Sequence, residues 1–134
     1  LRLARMFEER RVDSLRQLRD DILGVFGDPA ETGKPAGDDL REGKRTVLIA
    51  IAVERSTPAQ ASVIRRHLGD PGLDAKGVEA LREIISATGA LEYTEGLIDE
   101  LLEASLASLH TTTLEPLAHE VLEGLAYAAT RRTV

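Results

Sequence analysis

Apolar residues recur at helical spacing along most of this chain, interrupted by short segments rich in glycine and proline. The apolar run at residues 47–53 has no second strand candidate to pair with, so it also reads as helix. We therefore expect an all-α helical bundle. The pattern predicts six helices, at residues 3–25, about 44–55, 58–68, from the Asp74 cap to near Gly89, 97–109 and about 114–130. The first of these is either one long helix or two collinear ones.

Two of these helices have clear start signals. Thr57 is a capping residue, Pro58 follows at the first helical position, and Gln60 lies three residues after the cap. This order is the capping box, in which two side chains satisfy the free backbone N–H groups at a helix start. Asp74 is placed to cap the next helix in the same way.

Composition excludes several classes of protein. The chain has 134 residues, which fits a single helical domain at 1–134. Its net charge of −6 argues against nucleic-acid binding and fits a cytoplasmic enzyme. The absence of cysteine removes disulfides and thiolate catalysis, and no apolar run approaches the roughly 20 residues of a membrane span.

An acidic pair, Asp20 and Asp21, falls near the C-terminal end of the first predicted helix. Carboxylate oxygens suit Mg²⁺, and a bound cation would offset the unfavourable end of the helix dipole. Gln17 lies one turn earlier and can hydrogen-bond a carboxylate or a phosphate oxygen. On its own, such a pair is more often a solvated surface than a metal site.

A loop rich in glycine and proline follows from Gly27 to Gly43. A loop of this length is more often functional than a plain connector. Lys34 lies inside it and Lys44 follows it. Lysine ammonium groups neutralise phosphate charge, so the acids and lysines together predict a site for a diphosphate held through metal ions.

The order of these residues resembles the second aspartate-rich region of the trans-prenyl diphosphate synthases, the geranylgeranyl and farnesyl diphosphate synthase family. The resemblance covers about thirty residues in sequence order, far more than a lone glycine motif. It rests on the pair Asp20-Asp21, then Gly27-Asp28, then Thr32-Gly33-Lys34, then Gly37, Asp39-Leu40, Gly43-Lys44 and Thr46.

The resemblance implies the C-terminal half of the isoprenoid synthase fold and a homodimer. It also implies that Asp20 and Asp21 bind Mg²⁺, that Lys34 and Lys44 contact an allylic diphosphate, and that Asp39 fixes the loop. The implied activity is the condensation of isopentenyl diphosphate with an allylic prenyl diphosphate.

This chain departs from the family pattern at three places. Gly24 stands where the family's Asp-Asp-x-x-Asp has its third acid, and residues 1–15 form a divergent lead-in. These 134 residues also contain no first aspartate-rich motif. Asp38-Asp39-Leu40-Arg41-Glu42 mimics such a motif, but we interpret it as a decoy, because Arg41 and Lys44 can pair with its acids.

Two further functions compete with the synthase. The first is a non-catalytic helical subunit or remnant that keeps the loop but lacks half of the catalytic site. The second is a terpene cyclase with the same fold, which is disfavoured because the sequence lacks the Asn-Asp-x-x-Ser-x-x-x-Glu metal motif.

Overall fold

The computed structural model describes residues 2–109 and 115–130, and within these ranges the chain is helical with no strand. None of the helices in that part of the chain is long and apolar enough to span a membrane. The all-α prediction is confirmed. The helices are α1 (Arg2–Phe26), α2 (Pro29–Thr32), α3 (Asp38–Glu42), α4 (Val47–Arg55), α5 (Pro58–His67), α6 (Ala75–Ala87), α7 (Ala90–Leu109) and α8 (Glu115–Thr130).

The capping signals in the sequence operate as predicted. The Thr57 side chain accepts a hydrogen bond from the Gln60 N–H, and the Gln60 side chain accepts one from the Thr57 N–H. The Asp74 side chain accepts from the Gly77 N–H at 2.8 Å. The starts of α5 and α6 are thus fixed by local sequence alone.

We predicted that residues 27–43 form a loop. In the structure, this segment contains two short helices, α2 and α3. The Asp28 side chain caps α2, with Pro29 at its first position, and glycines flank α3. Helices of four and five residues are too short to show periodicity.

Two predicted helix starts also shift. The fourth helix begins at Val47 rather than near Lys44, because the Thr46 side chain accepts from the Ile49 N–H and caps it there. Helix α7 begins at Ala90, well before the apolar stripe that predicted it. Leu114, where the last helix was expected to start, lies outside the described residues.

The described residues form two compact units, and α1 and α7 each contribute to both. One unit is Asp20–Thr94. Its core joins the end of α1 with residues of α3, α4, α5 and α6. Burial of each Leu, Ile or Val side chain of this core stabilises the unit by roughly 1.5–3 kcal/mol. The buried core residues are Val25, Leu40, Leu48, Ile49, Ala52, Ile64, Leu73, Val78, Leu81, Ile84, Ile85 and Ala90.

The other unit contains the described residues up to Arg19 and those from Glu95 onward. Arg11 connects α1 to α7 there, because its Nη1 donates to the Ala104 carbonyl at 3.2 Å and to Ser108 Oγ at 3.1 Å. Helices α1 and α8 approach closely where Gly124 faces Val12. A Cβ at Gly124 would lie 2.8 Å from Cγ1 of Val12, so a larger residue does not fit without a shift.

Candidate functional site for a metal-bound diphosphate

Asp20 and Asp21 lie near the end of α1 and have different surroundings. The Asp20 side chain is exposed, whereas Asp21 is only 3% exposed. Neighbouring residues of an α-helix point about 100° apart, so one member of the pair faces solvent while the other packs inward. Asp20 is therefore the acid of the pair that an ion from solvent reaches directly.

The C-terminal end of α1 is held by two hydrogen bonds. The Gly27 N–H donates to the Leu23 carbonyl at 2.8 Å, and Arg82 Nε of α6 donates to the Val25 carbonyl at 2.7 Å. A guanidinium at this end satisfies a free carbonyl and offsets the negative end of the helix dipole. The backbone that carries the acidic pair is thus fixed to α6.

Lys34 follows α2 in an exposed turn. Gly33 ends α2 in the left-handed region at φ 71°, which an L side chain rarely adopts. The Lys34 N–H donates to Thr32 Oγ1 at 3.3 Å, while the Lys34 side chain is exposed. The backbone at this position is held locally, and the ammonium is accessible to an anion.

Helix α3 is anchored to the core of its unit on both sides. Leu40 is fully buried, and its carbonyl accepts from the Gly69 N–H at 2.8 Å. Arg41 donates through Nε to the Leu73 carbonyl at 3.0 Å and through Nη1 to the Ala36 carbonyl at 2.6 Å. The sequence indicated that Arg41 can pair with the neighbouring acids; in the structure, its hydrogen bonds go to these two backbone carbonyls.

Asp39 of α3 is buried against the backbone of α1, and its carboxylate lies directly over Gly24. A Cβ built at Gly24 would lie 2.0 Å from Asp39 Oδ2 and 2.4 Å from its Cγ. Lys44 Nζ lies 3.8 Å from the same Oδ2, which confirms the predicted pairing of Lys44 with an acid of this segment. The sequence showed the missing acid at position 24 but gave no sign of what fills its place.

The structure also brings Asp38, Asp39 and Glu42 together, with one carboxylate oxygen of each within 4.8 Å of the others. This is the segment that we interpreted as a decoy. Exposed acids often cluster without an ion, so this proximity alone does not define a metal site. Among the residues whose side chains are described, Asp20 and Asp21 belong to no such group of three.

Gln17 is exposed on α1, in the unit that does not contain Asp20. Its predicted role in substrate binding stays a prediction. The metal-binding role of Asp20 and Asp21 and the diphosphate contacts of Lys34 and Lys44 also stay predictions.

A helical protein with carboxylates and lysines around a glycine-rich loop is suited to a diphosphate held with divalent metal. Comparison with known protein families also indicates a helical protein of diphosphate chemistry. The family model described as polyprenyl synthetase matches residues 14–86, more than half of the chain. The chain belongs to the polyprenyl synthetase family.

Individual relatives carry synthase names. The chain is 36% identical over 116 residues to octaprenyl diphosphate synthase of Escherichia coli strain K12, covering 87% of this chain and 35% of the relative. It is also 43% identical over 82 residues to geranylfarnesyl diphosphate synthase of Aeropyrum pernix. That match covers 59% of this chain and 24% of the relative.

A solved structure matches as well. The crystal structure of geranylgeranyl pyrophosphate synthase from Corynebacterium glutamicum, complexed with isoprenyl diphosphate and magnesium, superposes with a TM-score of 0.80. The sequences are 42% identical, and the match covers 91% of this chain and 35% of that one. This chain therefore spans about a third of the length of the proteins it resembles.

Proposed function

We propose that this chain supplies the second aspartate-rich region of a trans-prenyl diphosphate synthase, which condenses isopentenyl diphosphate with an allylic prenyl diphosphate. The observation that carries this proposal is the set formed by Asp20, Lys34 and Lys44 around the glycine-rich loop, inside the segment that matches the family. The synthase names of the relatives support the same chemistry.

The residues present fit a magnesium ion. Asp20 offers an exposed carboxylate, and Asp39 lies in a space above Gly24 that any Cβ would fill. Such oxygen ligands are those that Mg²⁺ prefers, and a related crystal structure is described as a complex with magnesium. Asp20 and Asp21 would hold the ion, which when bound stabilises negative charge on the diphosphate.

The lysines have a defined part in the proposed reaction. The bond between the allylic carbon and the diphosphate oxygen breaks, and the double bond of isopentenyl diphosphate attacks that carbon. The cation that results loses a proton from the neighbouring carbon to the departing diphosphate, which forms the new double bond. Lys34 and Lys44 would bind the departing diphosphate and neutralise the charge that develops on it. Each well-placed electrostatic partner of this kind is worth on the order of 3 kcal/mol, or about a hundredfold in rate.

The proposal also covers the oligomeric state and the cellular location of the protein. We infer a homodimer located in the cytoplasm, as members of the family that the sequence resembles usually form homodimers. The competing function is a non-catalytic helical subunit or remnant that binds the diphosphate without turning it over.

A chimera separates the two functions. Residues 17–46 of this chain replace the matching segment of the Escherichia coli octaprenyl diphosphate synthase, and the incorporation of labelled isopentenyl diphosphate is measured. We expect the chimera to retain turnover and its Asp20→Ala form to lose at least about a hundredfold. A folded chimera without turnover would favour the non-catalytic subunit.

A further inference from the structure

Lys34 lies in a segment whose own hydrogen bonds are long. Gly33 and Gly37 border this segment, and both adopt left-handed backbone conformations at φ 71°. The Lys34 N–H donates to Thr32 Oγ1 at 3.3 Å, and Thr32 Oγ1 donates to the Lys34 carbonyl at 3.4 Å, beyond the usual distances for such bonds. Glycine has the widest backbone freedom of any residue, so the conformation of this segment depends on contacts from outside it.

Arg41 of α3 supplies such a contact. Its Nη1 donates to the carbonyl of Ala36, two residues after Lys34, at 2.6 Å. Its Nε donates at 3.0 Å to the carbonyl of Leu73, a buried member of the core. All four residues belong to the unit Asp20–Thr94. Because a guanidinium presents its donors in a rigid planar fork, this one side chain fixes the Ala36 carbonyl relative to the core.

The backbone that carries Lys44 is held in a different way. The Lys44 N–H donates to the Asp39 carbonyl at 3.0 Å, at the end of α3, and Leu40 of the same helix is fully buried. The core thus holds the Lys44 segment directly, whereas it holds the Lys34 segment through Arg41. A diphosphate that contacts both ammonium groups must order any segment that is mobile beforehand, and this ordering costs affinity.

We propose that Arg41 is a positioning residue of the diphosphate site, which holds the Lys34 segment so that Lys34 and Lys44 bind one diphosphate together. This proposal rests on the proposed function, because it concerns the same two lysines. Arg41 acts through the Ala36 carbonyl and not as a ligand of the diphosphate, since its Nε and Nη1 are already bonded to the backbone.

The test measures the binding of inorganic diphosphate with Mg²⁺ to the 134-residue chain by calorimetry. Arg41→Met removes the donors, whereas Arg41→Lys keeps the positive charge but cannot bridge two carbonyls as a planar guanidinium does. Both variants should weaken diphosphate binding by about three- to tenfold, the cost of ordering the Lys34 segment. The matched control is Arg65→Met, which removes an exposed charge from α5 and should change the affinity by less than about twofold.

Two further backgrounds show whether Arg41 acts through Lys34. In Lys34→Ala there is no ammonium to position, so adding Arg41→Lys should change the affinity by less than about twofold. In Lys44→Ala, where Lys34 remains, the same change should keep its full effect. A general loss of structure would instead lower the affinity equally in all backgrounds.

Hydrogen exchange measures the segment without any ligand. The amide of Lys34 should exchange faster in Arg41→Lys than in the original chain, while the amides of α5 should exchange as before. Circular dichroism confirms that each variant is folded, and Arg41→Lys carries every comparison if Arg41→Met does not fold.

Three outcomes would overturn this inference alone: original affinity in Arg41→Lys, an undiminished effect of Arg41→Lys in the Lys34→Ala background, or unchanged hydrogen exchange at Lys34. The proposed function would survive each of them, provided that Lys34→Ala itself weakens diphosphate binding. Unchanged affinity in Lys34→Ala would contradict the proposed function and this inference together, because Arg41 would then have no diphosphate ligand to position.

Discussion

Arg19 of α1 and Glu95 of α7 form a buried bidentate ion pair, with Nη1–Oε1 at 2.7 Å and Nη2–Oε2 at 2.8 Å. The two side chains are 1% and 7% exposed. Among the described residues, Arg19 Nε has no hydrogen-bond partner. The two terminal nitrogens of Arg19 are therefore both hydrogen-bonded to the Glu95 carboxylate, whereas its Nε is not hydrogen-bonded. Both charges have been removed from water, which costs solvation energy.

The first prediction concerns the stability contributed by this pair. Arg19→Ala removes from the buried Glu95 carboxylate the guanidinium that pairs with both of its oxygens, so the free energy of unfolding should fall by about 3–5 kcal/mol. Replacing both partners by apolar residues, Arg19→Met/Glu95→Leu, should cost far less, because no buried charge is stranded. Urea denaturation followed by circular dichroism measures both variants.

The matched control for this prediction is the exposed pair Arg16–Glu123, whose nearest atoms are 3.7 Å apart. Glu123→Gln should change the free energy of unfolding by less than about 1 kcal/mol, because solvent screens an exposed pair. A double variant as unstable as Arg19→Ala would show that the buried pair itself, and not the stranded charge, determines the loss.

Local signals in the sequence predicted much of the fold. Periodicity located α1, and the caps Thr57 and Asp74 fixed the starts of α5 and α6, because these signals act within a few residues. Contacts between distant residues could not be predicted in this way. Arg19 and Glu95 are 76 positions apart in the sequence, and nothing near either residue indicates its partner.

The same limit applies to the candidate site. The family motif pointed to Lys34 and Lys44 and showed that Gly24 lacks an acid, since these are properties of linear order. The placement of Asp39 over Gly24 depends on how α3 packs against α1. The different burial of Asp20 and Asp21 likewise depends on which face of α1 meets the core.

The second prediction separates Asp20 from Asp21. In a complete enzyme both alanine variants should depress turnover by orders of magnitude. Asp20 is exposed, so Asp20→Ala should change stability by no more than about 0.5 kcal/mol. Asp21 is buried, so Asp21→Ala should also destabilise the chain, by about 1–3 kcal/mol. Thermal unfolding measures the effect on stability. The incorporation of labelled isopentenyl diphosphate by the chimera with residues 17–46, with and without each alanine substitution, measures the effect on turnover.

Asp38→Ala and Glu42→Ala are the controls for the acidic pair, since both residues belong to the neighbouring cluster on α3. They should reduce turnover much less than Asp20→Ala. A larger loss from Asp38→Ala than from Asp20→Ala would move the metal from the acidic pair on α1 to that cluster.

The third prediction compares two glycines with nearly equal backbone angles, Gly33 at φ 71° and Gly43 at φ 70°. Alanine at either position pays about 1–2 kcal/mol for the left-handed conformation. At Gly43 the new Cβ would also lie 2.9 Å from the Gly69 Cα, whereas at Gly33 no described atom beyond its chain neighbours lies within 4 Å. Gly43→Ala should therefore lose about 1–3 kcal/mol more than Gly33→Ala in urea denaturation. Equal losses would show that Gly69 moves away at no cost.

The fourth prediction concerns the lysines. Lys34→Ala and Lys44→Ala should each weaken Mg²⁺-dependent binding of inorganic diphosphate by about ten- to a hundredfold, because each removes a charged hydrogen-bond donor. The third lysine of the chain, Lys76, is exposed on α6 and provides the control. Calorimetry with and without Mg²⁺ tests the site as a whole. Equal diphosphate affinities in the two conditions would contradict the coupling of metal and diphosphate.

The last prediction is that the 134-residue polypeptide alone does not elongate prenyl diphosphates. These residues contain no first aspartate-rich motif, and they span about a third of the length of the synthases they resemble. Charge on a departing diphosphate needs carboxylate-bound metal on both sides, and each missing electrostatic partner costs on the order of a hundredfold in rate.

The measurement for this prediction is the incorporation of radiolabelled isopentenyl diphosphate with geranyl or farnesyl diphosphate and Mg²⁺. The purified polypeptide should give no product, while the chimera that carries residues 17–46 in the Escherichia coli relative should give product under the same conditions. Because both proteins contain residues 17–46, a difference between them must come from the parts of the relative outside that segment. Clear turnover by the polypeptide alone would show that the carboxylates of this chain suffice for catalysis.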